Sequence, residues 1–101
     1  MDTRVTWSPE ALDDVDAIAA YIAKDSPFYA SAVVQKILGT ADNLRNFPLA
    51  GSIVPEVGES QFRERFVYSY RLIYRASKEQ ILIVAVIHGR RLLTPDLINL
   101  E

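Results

Sequence analysis

Arginine and tyrosine are threaded through residues 63–75, RERFVYSYRLIYR, a stretch otherwise suited to a sheet. A planar guanidinium grips two oxygens of one anion at once, so Arg63, Arg65 and Arg71 are candidate clamps for a phosphate or carboxylate. Arg90 and Arg91 extend the same charge just beyond the last apolar run. Immediately before them stands His88, the only histidine, whose ring gives or takes a proton near neutral pH. Glu56 offers a carboxylate base if its loop carries it over the sheet. Tyr68, at a turn, has a ring face to stack on a base, whereas Tyr70 and Tyr74 alternate with Leu72 and read as core.

The charge is unevenly placed. Residues 1–60 carry four basic side chains against nine carboxylates, a balance of −5, whereas residues 61–91 carry seven against two, a balance of +5. A ligand feels that local field rather than the total of −2. With one histidine and no cysteine, a zinc site is improbable on inventory, and Asp13, Asp14 and Asp16 read as a solvated helix face rather than a magnesium site. No metal or cofactor is expected. The sequence has no apolar run of 18 residues, and its first residues, with Asp2 among them, lack an apolar signal core. A cytoplasmic protein without a membrane span is the expectation.

The elements that must position these groups follow from periodicity. Residues 3–7, TRVTW, alternate as a short strand. Ser8 and Pro9 are an N-cap and first-turn pair for a helix over 9–24, with Ala11, Val15, Ile18 and Ile22 as its apolar stripe. Asp13 and Asp14 fall off the stripe and should face water. Asp25-Ser26-Pro27 repeats the capping signal, and Ala30 to Leu44 keep helical spacing until Pro48 stops them. The short connection makes the pair an antiparallel hairpin, with Gly39 expected at a close helix–helix contact. Residues 48–60 form the longest loop. Strands at 62–67, 70–76 and 81–88 then make an antiparallel meander, the last apolar on both faces. The fold class is α+β: an N-terminal strand, an antiparallel helical hairpin, then a curved three-stranded antiparallel meander, in one domain spanning 1–101. The helices should cover one sheet face and leave the other for Arg63, Arg65 and Arg71 to gather on. The tail from 92 to 101 has no assigned element.

The runs W-S-P-E-A-L-D-D-V, L-R-N-F-P with G-S-I-V-P-E, F-R-E-R-F, Y-R-L-I-Y-R and I-L-I-V-A-V-I-H-G-R-R, in this order and spacing, resemble the RelE/ParE superfamily of type II toxins. The resemblance covers about residues 4–93. It implies a growth-inhibiting toxin of the kind that serves plasmid stabilization, held inactive in a hetero-oligomer with a cognate antitoxin. Two mechanisms are implied by the two branches. RelE-like and YoeB-like members are ribosome-dependent mRNA endoribonucleases, or mRNA interferases; ParE-like members poison DNA gyrase.

For the nuclease branch, Glu56, Arg65 (or Arg63) and His88 occupy positions resembling the catalytic glutamate, arginine and histidine of YoeB-like members. Here Gly89-Arg90-Arg91 follows the histidine where those chains carry a terminal tyrosine, and residues 46–61 lack the lysines that RelE-like enzymes use. The S-P-x-A opening and the V-I-H-G-R-R ending look more like ParE-like members. On that branch Arg63, Arg65, Arg71, Arg90, Arg91 and Tyr68 would contact the target and no residue would do covalent chemistry. A third alternative is a non-toxic, antitoxin-binding corepressor with the same fold and basic face.

Overall fold

Two serines set where the helices begin. The computed structural model describes residues 3–91, so the expectations placed on Asp2 and on the tail from 92 lie outside the described residues. Helix α1 runs Pro9–Ala23, and the Ser8 hydroxyl accepts the Ala11 N–H at 3.0 Å. Helix α2 runs Pro27–Asn43, and Ser26 does the same for Tyr29. In each, proline fills the first turn, where its missing N–H costs nothing. α2 ends at Asn43, ahead of Pro48: Leu44 turns back to Ala41 and Asp42, so the final turn closes locally before proline matters.

Five strands make one sheet, β1 (Arg4–Trp7), β2 (Ser52–Ile53), β3 (Phe62–Val67), β4 (Tyr70–Ala76) and β5 (Gln80–His88), in the order β1-β5-β4-β3-β2. The expected meander is β3-β4-β5, antiparallel throughout. β1 adds to it parallel to β5; the helical hairpin and β2–β4 lie between the two in the chain, so no tight turn has to join these parallel neighbours. Part of the expected long loop is itself the edge strand β2, paired antiparallel to β3.

Both faces of the sheet are covered. On the helix side Val15, Val33, Ile37 and Leu44 pack with Val67, Leu72, Tyr74, Ile81, Ile83 and Val86. On the other side Val54 and Phe62 pack with Ile73, Val84, Ala85 and Ile87, and Val57 adds to this second cluster. A register shift opposite Ile73 and Tyr74 lets Val84 and Ala85 join the same cluster. β5 is therefore apolar on both sides because both sides are buried, as its composition implies.

Two sequence expectations are corrected. Gly39 is exposed, and a Cβ there would meet nothing within 4 Å, so it marks no close helix contact. Asp14 is half-buried rather than solvated: its Oδ2 accepts the Val86 N–H at 2.9 Å. β1 stops pairing at Trp7–Ile83, which leaves the next N–H on that edge of β5 without a strand partner, and α1 supplies a carboxylate instead.

Of the four glycines, Gly51 sits in the tightest surroundings. Its N–H donates to the buried Tyr74 hydroxyl at 3.0 Å, and a Cβ there would lie 2.5 Å from the Glu64 carbonyl oxygen. Tyr74→Phe leaves that buried N–H without a partner and is expected to lower stability by about 1–3 kcal/mol in urea denaturation. Gly51→Ala should destabilise more, since the obstructing atom is backbone and cannot rotate away.

Candidate functional site

The expected convergence of arginines does not form. β3 and β4 are joined by a two-residue turn, with Val67 opposite Tyr70. Residues of odd number on β3 therefore face residues of even number on β4. Arg65 lies opposite Leu72 and Arg63 opposite Tyr74, both on the helix face, whereas Arg71 lies opposite Phe66 on the other face. The three guanidinium groups are split between the two sides of the sheet.

Arg71 is nearly buried, with 5% of its surface exposed, and it is the only charged or polar residue in that class among the described residues. Its Nη1 and Nη2 each donate at 2.8 Å to a different oxygen of Glu56, a bidentate pair. Nε donates to Glu64 Oε1 at 2.7 Å, and Nη1 also donates to the Arg91 carbonyl at 3.0 Å. The hydrogen bonds it donates to Glu56, with a further contribution from Glu64, hold the guanidinium more firmly protonated than usual, against the opposing effect of burial, which is smaller than that of Glu56. Glu56 enters from the loop after β2, so this pair ties the loop across the second hydrophobic cluster.

Arg63 is also occupied within the fold. Its Nε donates to the Ser60 carbonyl at 2.9 Å and Nη1 to the Gly51 carbonyl at 3.0 Å, which ties the residue before β2 to the end of the loop that follows it. Arg65 instead lines a polar groove of about 370 Å³ with Gln35, Lys36, Thr40 and Asn43 of α2. Glu56, Arg65 and His88 are thus distributed over the loop, the helix-side groove and the end of β5, and they do not form one catalytic cluster.

His88 is exposed at the end of β5. Its ring meets Tyr70 edge-on at 5.8 Å, and its Nδ1 accepts the Arg90 N–H at 3.2 Å, which leaves Nε2 to carry the proton of the neutral ring. His88, Tyr70, Tyr21, Asp14 and Arg91 line a cleft of about 350 Å³ between α1 and the ends of β4 and β5. Burial pushes the Asp14 carboxyl up from its ordinary value, against the Val86 hydrogen bond and the nearby Arg91 charge. Burial likewise raises the Tyr70 phenol, so it stays protonated at neutral pH. Tyr68 caps the turn, 56% exposed, with its ring 6.2 Å from that of Tyr29. Periodicity could not have flagged Asp14 or Tyr21, because nothing in α1 alone indicates where β1 ends. Glu64 was legible as a partner, since it shares the Phe62 and Phe66 face that a two-residue turn assigns to Arg71.

Residues 5–93 match the profile of the family described as the ParE toxin of the type II toxin-antitoxin system, parDE. A Sinorhizobium fredii protein named "Putative toxin Y4kP" is 32% identical over 91 residues, covering 87% of this chain and 90% of that protein. Among solved structures, the chromosomal ParDE toxin-antitoxin system of P. aeruginosa superposes with a TM-score of 0.70 at 21% identity, over 85% of this chain and 95% of that one. The YoeB dimer of Staphylococcus aureus gives 0.60 at 18% identity with the same coverage.

Removing Arg71 strands two carboxylates in a mostly buried site. Arg71→Ala is expected to cost about 3–5 kcal/mol in urea denaturation, whereas Arg65→Ala should stay within about 0.5 kcal/mol. Asp14 behaves oppositely. Its folded-state pKa lies above the unfolded one, so ionisation weakens the fold as pH rises through that raised value, and the cost vanishes below the unfolded value. Asp14→Asn keeps an acceptor for Val86 without the charge. It should raise the thermal midpoint at pH 7, with the gain shrinking to nothing in acid.

Proposed function

Because the chain belongs to the ParE toxin family of type II toxin-antitoxin systems, we propose that it arrests growth by docking on DNA gyrase in the cytoplasm and is neutralised by a cognate antitoxin. The observation that carries the gyrase branch is the engagement of Glu56. Both of its oxygens are held by Arg71, on the sheet face away from Arg65. A general base must reach the proton it abstracts, and the bidentate grip of Arg71 holds this carboxylate in place on that face. Docking needs only a surface, and charged groups at its margin set partner choice and association rate. Arg65, Arg90, Arg91 and Tyr68 are the proposed target contacts. Arg63 and Arg71 serve the fold that presents them.

The second reading, a ribosome-dependent mRNA endoribonuclease, draws on the same pair: a carboxylate and a guanidinium lie side by side where a phosphate could displace one of them. It requires Glu56 to leave Arg71 and His88 to act across the end of β5.

Inducing the chain without its antitoxin separates the readings. Gyrase-linked DNA breaks with intact transcripts are expected, and His88→Ala should change the degree of growth arrest by less than about twofold. Codon-linked mRNA cuts that disappear in His88→Ala would establish the nuclease instead. Normal growth with folded protein present would leave the corepressor.

A further inference from the structure

One end of the molecule exposes more aromatic surface than a solvated end requires. The C-terminal part of α1, the first turn of α2 and the β3–β4 turn meet there. Tyr21 is 69% exposed, Phe28 86%, Tyr29 48% and Tyr68 56%. The tyrosines are connected rather than scattered: Tyr29 contacts Tyr68, and Tyr21 shares the cleft with Tyr70 and His88. Contiguous exposed apolar surface of this kind marks an interaction site.

The backbone at Tyr68 is an independent sign. Its φ is +54°, the only left-handed value at a non-glycine among the described residues. It is the first of two turn residues between paired strands, where hairpins with one left-handed residue favour glycine. A tyrosine there carries a conformational cost. With more than half of its surface in water, packing against its own chain returns little of that cost. Strain held at an exposed side chain points to a use for the side chain.

We propose that this aromatic end is the docking surface for the cognate antitoxin. It would take a segment that inserts one large apolar side chain into the Tyr21–Tyr70–His88 cleft and sets carboxylates against the margin. The margin is cationic: Lys24 Nζ lies 5.9 Å from the Tyr21 ring centre, and Arg90 and Arg91 flank His88. Asp14 lines the cleft itself, so a phosphate chain entering it would meet a carboxylate, whereas an apolar side chain inserted there brings no charge beside it. That favours polypeptide over RNA. The inference rests on the proposed toxin reading for its choice of partner. A segment bound here spans helices and sheet together and covers His88, Arg90 and Arg91, so one occupant both binds and masks proposed target contacts.

The test uses the full chain, the purified cognate antitoxin and, separately, a single-stranded RNA oligonucleotide. Tyr68→Gly relieves the left-handed strain, so its thermal midpoint should equal or exceed that of the parent. Its antitoxin Kd should nevertheless rise at least about tenfold, as expected for an aromatic anchor, with Tyr29→Ala moving in the same direction. Antitoxin affinity unchanged within about twofold in both variants overturns the proposal. So does lost growth arrest at unchanged antitoxin affinity, which would assign the patch to the target, or Tyr68-dependent binding of the RNA without an antitoxin effect. Growth arrest is read separately from affinity. A parent chain that fails to arrest growth while the variants lose antitoxin defeats the toxin reading and leaves the docking surface standing.

Discussion

A buried guanidinium has to be matched by carboxylates, and meeting that demand at Arg71 organises half of this molecule. Two glutamates reach it from different places, Glu64 from the neighbouring strand and Glu56 from the loop after β2. Transferring such a charge from water is costly unless its donors are filled, and here all three guanidinium nitrogens donate. The bidentate contact with Glu56 also pins the middle of a loop whose far end is held by Arg63 at Ser60 and whose Val54 and Val57 pack into the second cluster. The sheet face opposite the helices is closed as a result, and the cation that seemed free to meet a ligand is internal structure.

That closure moves the available chemistry to the rims. Arg65 faces a polar groove beside α2, and His88, Arg90 and Arg91 stand at the end of β5 next to a cluster of exposed rings. A larger groove, about 750 Å³, lies by Phe47, Leu49 and the β4–β5 turn at the opposite end of the sheet, but Lys78 is its only charged lining residue. For a protein that acts by contact, rims spanning two layers are suitable places. They present helix and strand side chains on a scaffold whose interior is packed on both sides of the sheet.

Much of the fold was legible because the signals were local. Ser8-Pro9 and Ser26-Pro27 announce helix starts through donors that any helix leaves unpaired, and the structure uses both hydroxyls as caps. The apolar run of β5 implied burial on both faces, and both clusters exist. The separation of Arg71 from Arg63 and Arg65 was also readable, since a two-residue turn obliges odd positions on β3 to face even ones on β4. What was not legible depended on where other elements stop. Asp14 became an acceptor because β1 ends one hydrogen bond too early to satisfy Val86, a fact held by no window of residues around position 14.

By itself the sequence determined the two helices, the four longer strands, their order and the family, because capping, periodicity and motif spacing act over a few residues and survive in one dimension. It also determined which residue types were at hand for chemistry. Only the tertiary structure decided which of them were at liberty. Whether a guanidinium meets a partner molecule or a glutamate of its own chain depends on distances between residues 15 positions apart, as with Arg71 and Glu56, and on the burial that makes an unpaired charge intolerable.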